Sequence, residues 1–228
     1  MKATGTIDAA SQICRCCRRL SDLGLLAGVD GNVSVRIGQG RILVTPAGAL
    51  KAELTADDIV TVDLEGNLVE GCHRPSSELP MHLQILRKRP DVQAVLHAHP
   101  PTTTAFSLVG ETVDWDVLPE MAILVGEVPL VPFVTPGTSE MGLELDPFLG
   151  AHDAFLLQNH GAVTVGRNLL EAQIRMECLE HTARILHIAR SLGPVGKLPS
   201  PVLRYLCNMR AELRRDDDAT DPVLSNGR

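Results

Sequence analysis

Aromatic side chains are scarce. The chain of 228 residues carries one Trp, one Tyr and four Phe, so its core has to be aliphatic. With 44% hydrophobic residues there is enough material for a sizeable one. Positive charge is also short: 21 Lys and Arg stand against 28 Asp and Glu, a formal net charge of -7. A nucleic-acid binder normally shows a basic footprint, so that class is set aside. An anionic small substrate is not, because local donors decide its binding. No stretch approaches the roughly 20 apolar residues of a membrane-spanning helix. The first ten residues lack the basic start and apolar centre of a signal peptide. The six cysteines form no small-domain disulfide pattern, which points to a reduced, cytoplasmic protein. Cys14, Cys16 and Cys17 have no second cysteine pair near them and read as small apolar side chains on an amphipathic helix over 7–20. Linkers, low-complexity tracts and internal repeats are missing. The chain therefore reads as one domain over 1–228, with a core of about 7–191 and a C-terminal helix and tail over 200–228. The glycine signatures of nucleotide binding are missing too.

What the chain does have is strand patterns separated by tight turns. Val33, Val35 and Ile37 alternate with Ser34 and Arg36, Gly38-Gln39-Gly40 turns the chain, and 41–44 returns. A second hairpin is read over 59–70, and further strands at 91–99, 154–158 and 162–165. Asp8 is expected to cap a first helix ending near Leu23. Ser77 is expected to cap one through Arg87, with Pro80 tolerated in its first turn. A short helix is expected around 120–124. Asn168 caps the strongest helical pattern, to about Ser191. A last helix spans 201–214, before a frayed tail from Asp216. Hairpins rather than repeated βαβ units favour a largely antiparallel sheet with helices packed on it.

The chemistry gathers around histidines. His97 and His99 end an apolar run at i and i+2, so on a strand both project to one face. His160 also ends an apolar run. Three imidazoles and a carboxylate make a catalytic divalent-metal site, preferably for zinc; two buried histidines bonded to backbone would give the same pattern. His82 falls one helical turn after Glu78 and shares its face. His73 and His152 lie in turns without an evident partner, and His181 and His187 read as surface or packing residues. Ser76-Ser77 at a helix start offers hydroxyls and backbone N–H groups that suit a phosphate, or an ordinary cap. Asn32 and Gly48 could add donors, and turn chemistry explains them equally well.

Five segments occur in an order and spacing that resemble the class II aldolase/adducin family, nearest to its L-fuculose-1-phosphate aldolase branch. They are Gly31-Asn32-Val33-Ser34, Thr45-Pro46-Ala47-Gly48, Pro75-Ser76-Ser77-Glu78, His97-Ala98-His99-Pro100 and Asn159-His160-Gly161. The resemblance implies an α/β/α layered fold around a mostly antiparallel sheet, and a homotetramer with active sites at subunit interfaces. It also implies that His97, His99, His160 and Glu78 bind a divalent metal, Zn2+ first, with Mn2+, Fe2+ or Co2+ as alternatives. Glu78 would double as acid/base. Gly31, Asn32, Ala47, Gly48, Ser76 and Ser77 match phosphate-binding positions, Ala47 through its backbone N–H where the branch has a threonine. The branch's catalytic tyrosine is missing, since the lone tyrosine is Tyr205. Glu120 stands near its place, as in the methylthioribulose-phosphate dehydratase branch. The implied reaction is retro-aldol cleavage of a ketose 1-phosphate to dihydroxyacetone phosphate and an aldehyde, through a metal-stabilised enediolate. Decarboxylation or dehydration on the same metal is the alternative. A non-enzymatic module like the adducin head is the rival from another class, and the retained ligand set argues against it.

Overall fold

A computed structural model describes the backbone of residues 4–220 and the side chains of residues 6–214. Eight strands form one sheet: β1 (Asn32–Arg36), β2 (Arg41–Val44), β3 (Val60–Asp63), β4 (Leu68–Glu70), β5 (Ala94–Ala98), β6 (Leu130–Val131), β7 (Ala154–Leu157) and β8 (Gly161–Gly166), in the order β4-β3-β2-β1-β5-β8-β7-β6. Neighbours pair antiparallel except β6 and β7, which run parallel. Among the described residues six α-helices accompany them: α1 (Thr4–Asp22), α2 (Leu79–Lys88), α3 (Pro101–Leu108), α4 (Glu140–Leu149), α5 (Leu169–Leu192) and α6 (Ser200–Thr220).

The pleat sends alternate side chains to opposite faces, and each face has its own core. Val33, Leu43, Leu96 and Leu156 pack with Ile13 and Leu20 of α1, Phe106 of α3 and Met176 and Leu179 of α5. Their strand neighbours Ile42, Val44, Val95, Phe155 and Val163 pack with Leu83 and Ile85 of α2 and Met141 and Leu145 of α4. This is the expected α/β/α layering. Cys14, Cys16 and Cys17 are buried, unbridged, in the α1 core. Burial pushes the thiols of Cys16 and Cys17 up, Cys17 to about 12, so they pack as small apolar groups.

Local differences have local causes. α1 begins at Thr4, so Asp8 lies inside the helix, accepting from the Gln12 amide at 2.8 Å rather than capping. α2 begins at Leu79, and Ser77 is not its cap. Instead the Ser76 hydroxyl accepts the Glu78 N–H at 3.3 Å. Around 120–124 the chain makes one widened π turn, Met121–Val125. The last helix continues through Thr220, past the expected start of the tail; residues 221–228 lie outside the described residues.

Candidate metal centre

Strand pairing builds the centre. β1 runs antiparallel to β5 with Asn32 opposite His97, and opposed residues share a face. His97 therefore points with Asn32 and Ser34 toward α2. His99, two residues on, keeps to that side just past the strand end. The β7–β8 turn delivers His160, with Asn159 in the left-handed region at φ 56°. Gly161 follows with no side chain. A Cβ there would sit 2.5 Å from the Ala98 carbonyl and 2.6 Å from the His99 ring, so only glycine lets the three rings meet. Their centroids are 4.7–5.0 Å apart, and one nitrogen of each falls within 4.8 Å of the others.

Glu78 closes the group. Its Oε2 is 3.2 Å from His97 Nε2 and its Oε1 is 3.3 Å from His160 Nε2. His97 Nδ1–H donates to the Ala162 carbonyl at 3.0 Å, which leaves the Nε2 lone pair facing inward. Burial first, then the neighbouring imidazoles, hold His97 well below the usual histidine range, against the opposing carbonyl bond. His160 is lowered as well, by burial above all, with Glu78 opposing. These rings are neutral, as metal ligands must be. Among the described residues, Glu78 Oε1 is buried with no hydrogen-bond donor, a position that costs free energy unless a cation meets it. Three inward imidazoles and this carboxylate fit a divalent ion of the zinc type.

A buried relay stands behind Glu78. Asn32 Nδ2 donates to Glu78 Oε2 at 2.7 Å. Asn32 Oδ1 is 2.5 Å from His82 Nε2, and His82 Nδ1 is 2.7 Å from Ser34 Oγ. Burial pushes His82 down to about 3, so it carries one proton. The amide oxygen fixes that proton on Nε2, and Ser34 O–H donates to Nδ1. Ser34, His82 and Asn32 thus each donate to the next group, ending on the carboxylate. His82→Leu is expected to lower turnover about 10- to 100-fold while metal remains bound. Turnover and metal content measured on the same sample would check this, and unchanged turnover would remove the relay from the mechanism.

The phosphate candidates converge, but some donors are already engaged. A bridge between Pro46 and Pro75 lays 45–48 against 74–77. There the Ala47 N–H donates to the Arg74 carbonyl at 2.9 Å and the Ser76 N–H to Thr45 at 3.1 Å. The expected role for the Ala47 N–H is therefore taken by chain pairing, and the Asn32 amide is taken by Glu78 and His82. Ser77 and Gly48 are exposed. Gly31 (φ +69°) is sterically required, since a Cβ would lie 2.6 Å from the His97 carbonyl. His73 pairs with Asp58 at 3.3 Å and His152 with the Glu127 carbonyl at 3.1 Å, so both have structural partners outside the centre.

Glu120 is elsewhere. It lines a cleft of about 440 Å³ with Leu124, Ile174 and Cys178, in the α1/α5 layer, across the sheet from the face His97 uses. Tyr205 is exposed on α6.

A profile of the class II aldolase and adducin N-terminal domain matches residues 11–187. The chain belongs to this family. Within the class II aldolase/adducin family, a 3-oxo-tetronate 4-phosphate decarboxylase of Pectobacterium atrosepticum is 37% identical over 169 residues, covering 72% of this chain and 77% of the relative. An L-fuculose phosphate aldolase of Methanococcus maripaludis is 35% identical over 182 residues, covering 80% and 98%. The crystal structure of L-fuculose-1-phosphate aldolase from Thermus thermophilus superposes with a TM-score of 0.74 at 33% identity, covering 82% of this chain and 98% of that one. The chain is an enzyme of this family, and class II aldolases use a divalent metal.

Proposed function

We propose that the enzyme cleaves a carbon–carbon bond beside the carbonyl of a small phosphorylated sugar, as retro-aldol cleavage of a ketose 1-phosphate resembling L-fuculose 1-phosphate. The products are dihydroxyacetone phosphate and an aldehyde. The observation that carries this reading is Glu78: a buried carboxylate, oriented by Asn32, against His97 and His160. His97, His99, His160 and Glu78 would hold a divalent cation, Zn2+ by donor set, with Mn2+, Fe2+ or Co2+ fitting the same atoms; bound there it supplies a Lewis acid for the substrate carbonyl. Ser76, Ser77, Gly48 and the backbone at Gly31 and Asn32 anchor the phosphate. A base takes the proton of the C4 hydroxyl, the C3–C4 bond breaks, the aldehyde carbonyl forms, and Glu78 returns a proton to C3.

Glu120 is assigned as that base. Because it lies in the other layer of its own chain, the role requires a second copy, in a homotetramer with sites at subunit interfaces. Leu124 and Ile174, exposed beside Glu120 in the same cleft, support such burial. The Pectobacterium relative favours a second reading, in which a 3-keto sugar-acid phosphate loses CO2 at the same centre. Neither reading uses nucleic acid or a membrane, and among the described residues no helix is long and apolar enough to cross one. The cytoplasm is the proposed compartment.

A panel of ketose 1-phosphates and 3-keto-acid phosphates tests both readings. Dihydroxyacetone phosphate released from a ketose 1-phosphate, lost on chelation and restored by Zn2+, is the expected result. Release of CO2 alone selects the second reading, and turnover that survives chelation overturns both. In the same assay Glu120→Gln is expected to lower turnover about 100-fold or more with metal content unchanged. Wild-type rates would remove Glu120.

A further inference from the structure

Lys51 is a buried cation with no part in the chemistry above. It is 2% exposed and opens a single tight helical turn, Lys51–Glu53, packed against α1. Burying an ammonium is unfavourable unless it is bonded. Its Nζ donates to the Val29 carbonyl at 2.9 Å and to the Ala49 carbonyl at 3.0 Å. Its backbone N–H donates to the Gly28 carbonyl at 3.2 Å. Burial pulls the ammonium below the usual lysine range, with Cys17 and Asp30 opposing.

The two carbonyls belong to different loops. Val29 stands two residues before Gly31 and three before Asn32, and Ala49 directly follows Gly48. Gly31, Asn32 and Gly48 are three of the phosphate anchors proposed above. The same two loops are joined again at their other end. There the Thr45 N–H donates to the Val33 carbonyl at 3.1 Å, and Thr45 Oγ1 accepts the Val33 N–H at 3.2 Å. Residues 29–33 and 45–49 therefore make a frame closed twice, by Thr45 and by Lys51, with the anchors between the closures.

The frame needs such a closure. Gly28, Gly31 and Gly48 all hold left-handed φ, at +57°, +69° and +67°, and glycine has the most conformational freedom to lose on ordering. Donors fixed before a ligand arrives cost less to organise when it binds. One ammonium bonded to a carbonyl of each loop supplies that order with charge-assisted hydrogen bonds.

We propose that Lys51 is a positioning residue for phosphate binding, its ammonium setting the spacing of Gly31 and Asn32 against Gly48. It acts through the backbone of the two loops and does not touch the ligand. This rests on the phosphate site proposed above and adds to it the group that fixes its width.

The test titrates inorganic phosphate by calorimetry into the full-length, metal-loaded protein at constant ionic strength. Wild type is compared with Lys51→Met, Lys51→Gln and Ser77→Ala. Lys51→Met keeps the apolar bulk and loses every donor. Lys51→Gln keeps a donor on a side chain one atom shorter, and serves if the methionine variant does not fold, which thermal melts verify. Saturable binding is expected in wild type, weakened in Ser77→Ala and weakened about tenfold or more in both Lys51 variants, as for donors no longer held in place. Zn2+ content by elemental analysis is expected to stay at the wild-type level, which separates loop positioning from general loosening of the fold. Wild-type phosphate affinity in a folded Lys51 variant, with Ser77→Ala weakened, would overturn the role of Lys51 and leave the phosphate site standing. Parallel loss of Zn2+ and phosphate in both Lys51 variants would overturn it too, by making Lys51 a general support of the fold. No saturable binding in wild type, or an unchanged affinity in Ser77→Ala, would bring down the phosphate site and this proposal with it.

Discussion

His97→Ala is expected to yield a folded protein that takes up no divalent metal and turns over substrate at least about 1000-fold more slowly, since losing several kcal/mol of Lewis-acid stabilisation costs that much rate. His97 is the best-fixed of the ring ligands. It is fully buried, its Nδ1 is held by the Ala162 carbonyl at 3.0 Å, and its Nε2 lies 3.1 Å from that of His99. Glu78 Oε2 also faces it at 3.2 Å. Removal therefore deletes a ligand and an orienting neighbour together. Metal per chain by elemental analysis and kcat/KM on the same sample measure the effect. His73→Ala, which alters only the pair with Asp58, is the control and should retain both. Full metal content in His97→Ala would show that the centre is not built on this strand.

Asp153→Ala is expected to destabilise the fold by about 3–5 kcal/mol, the cost of removing one partner from a buried charge cluster. Asp153 faces four guanidinium groups drawn from three helical regions: Arg89 after α2, Arg175 on α5, and Arg210 and Arg214 on α6. Without it those cations repel one another in a place with little water. Asp91→Ala is the contrast. Asp91 pairs with Arg89 at 2.6 Å, but its side chain is 50% exposed, and such a pair contributes about 0–1 kcal/mol. Denaturant midpoints in phosphate-free buffer should separate the two variants. Equal midpoints would mean that solvent already neutralises the cluster.

Much of this architecture was legible in the chain. The alternation over 33–37 and the hairpin turns foretold antiparallel strands and layered helices. The i, i+2 spacing of His97 and His99 foretold two imidazoles on one face, because strand geometry is local. Long-range partnerships were not legible. Ser34 reads as an ordinary polar residue on a half-buried strand, yet it is fully buried against His82, 48 residues away. A buried hydroxyl two residues from Asn32 on the same face was the available signal. Asp153 gives no hint of its arginines, which lie up to 64 residues away on either side. Glu120 falls between the histidines in sequence and across the sheet in space, because the chain crosses to the α1/α5 layer after β5. The parallel pairing of β6 with β7 was hidden, because a strand of two residues carries no register signal.

Gly161 bears on how chains of this kind are sorted by function. All four candidate ligands can be retained while a larger residue after the last histidine wedges the rings apart, since even a methyl would lie 2.6 Å from His99 and 2.5 Å from the Ala98 carbonyl. A ligand-only signature would enrol such a chain among working enzymes. The diagnostic unit is therefore the triplet Asn159-His160-Gly161, in which the outer residues supply the bend and the vacancy and the middle one supplies the nitrogen. A chain that keeps the histidine and loses the glycine belongs with the non-enzymes until its metal content says otherwise.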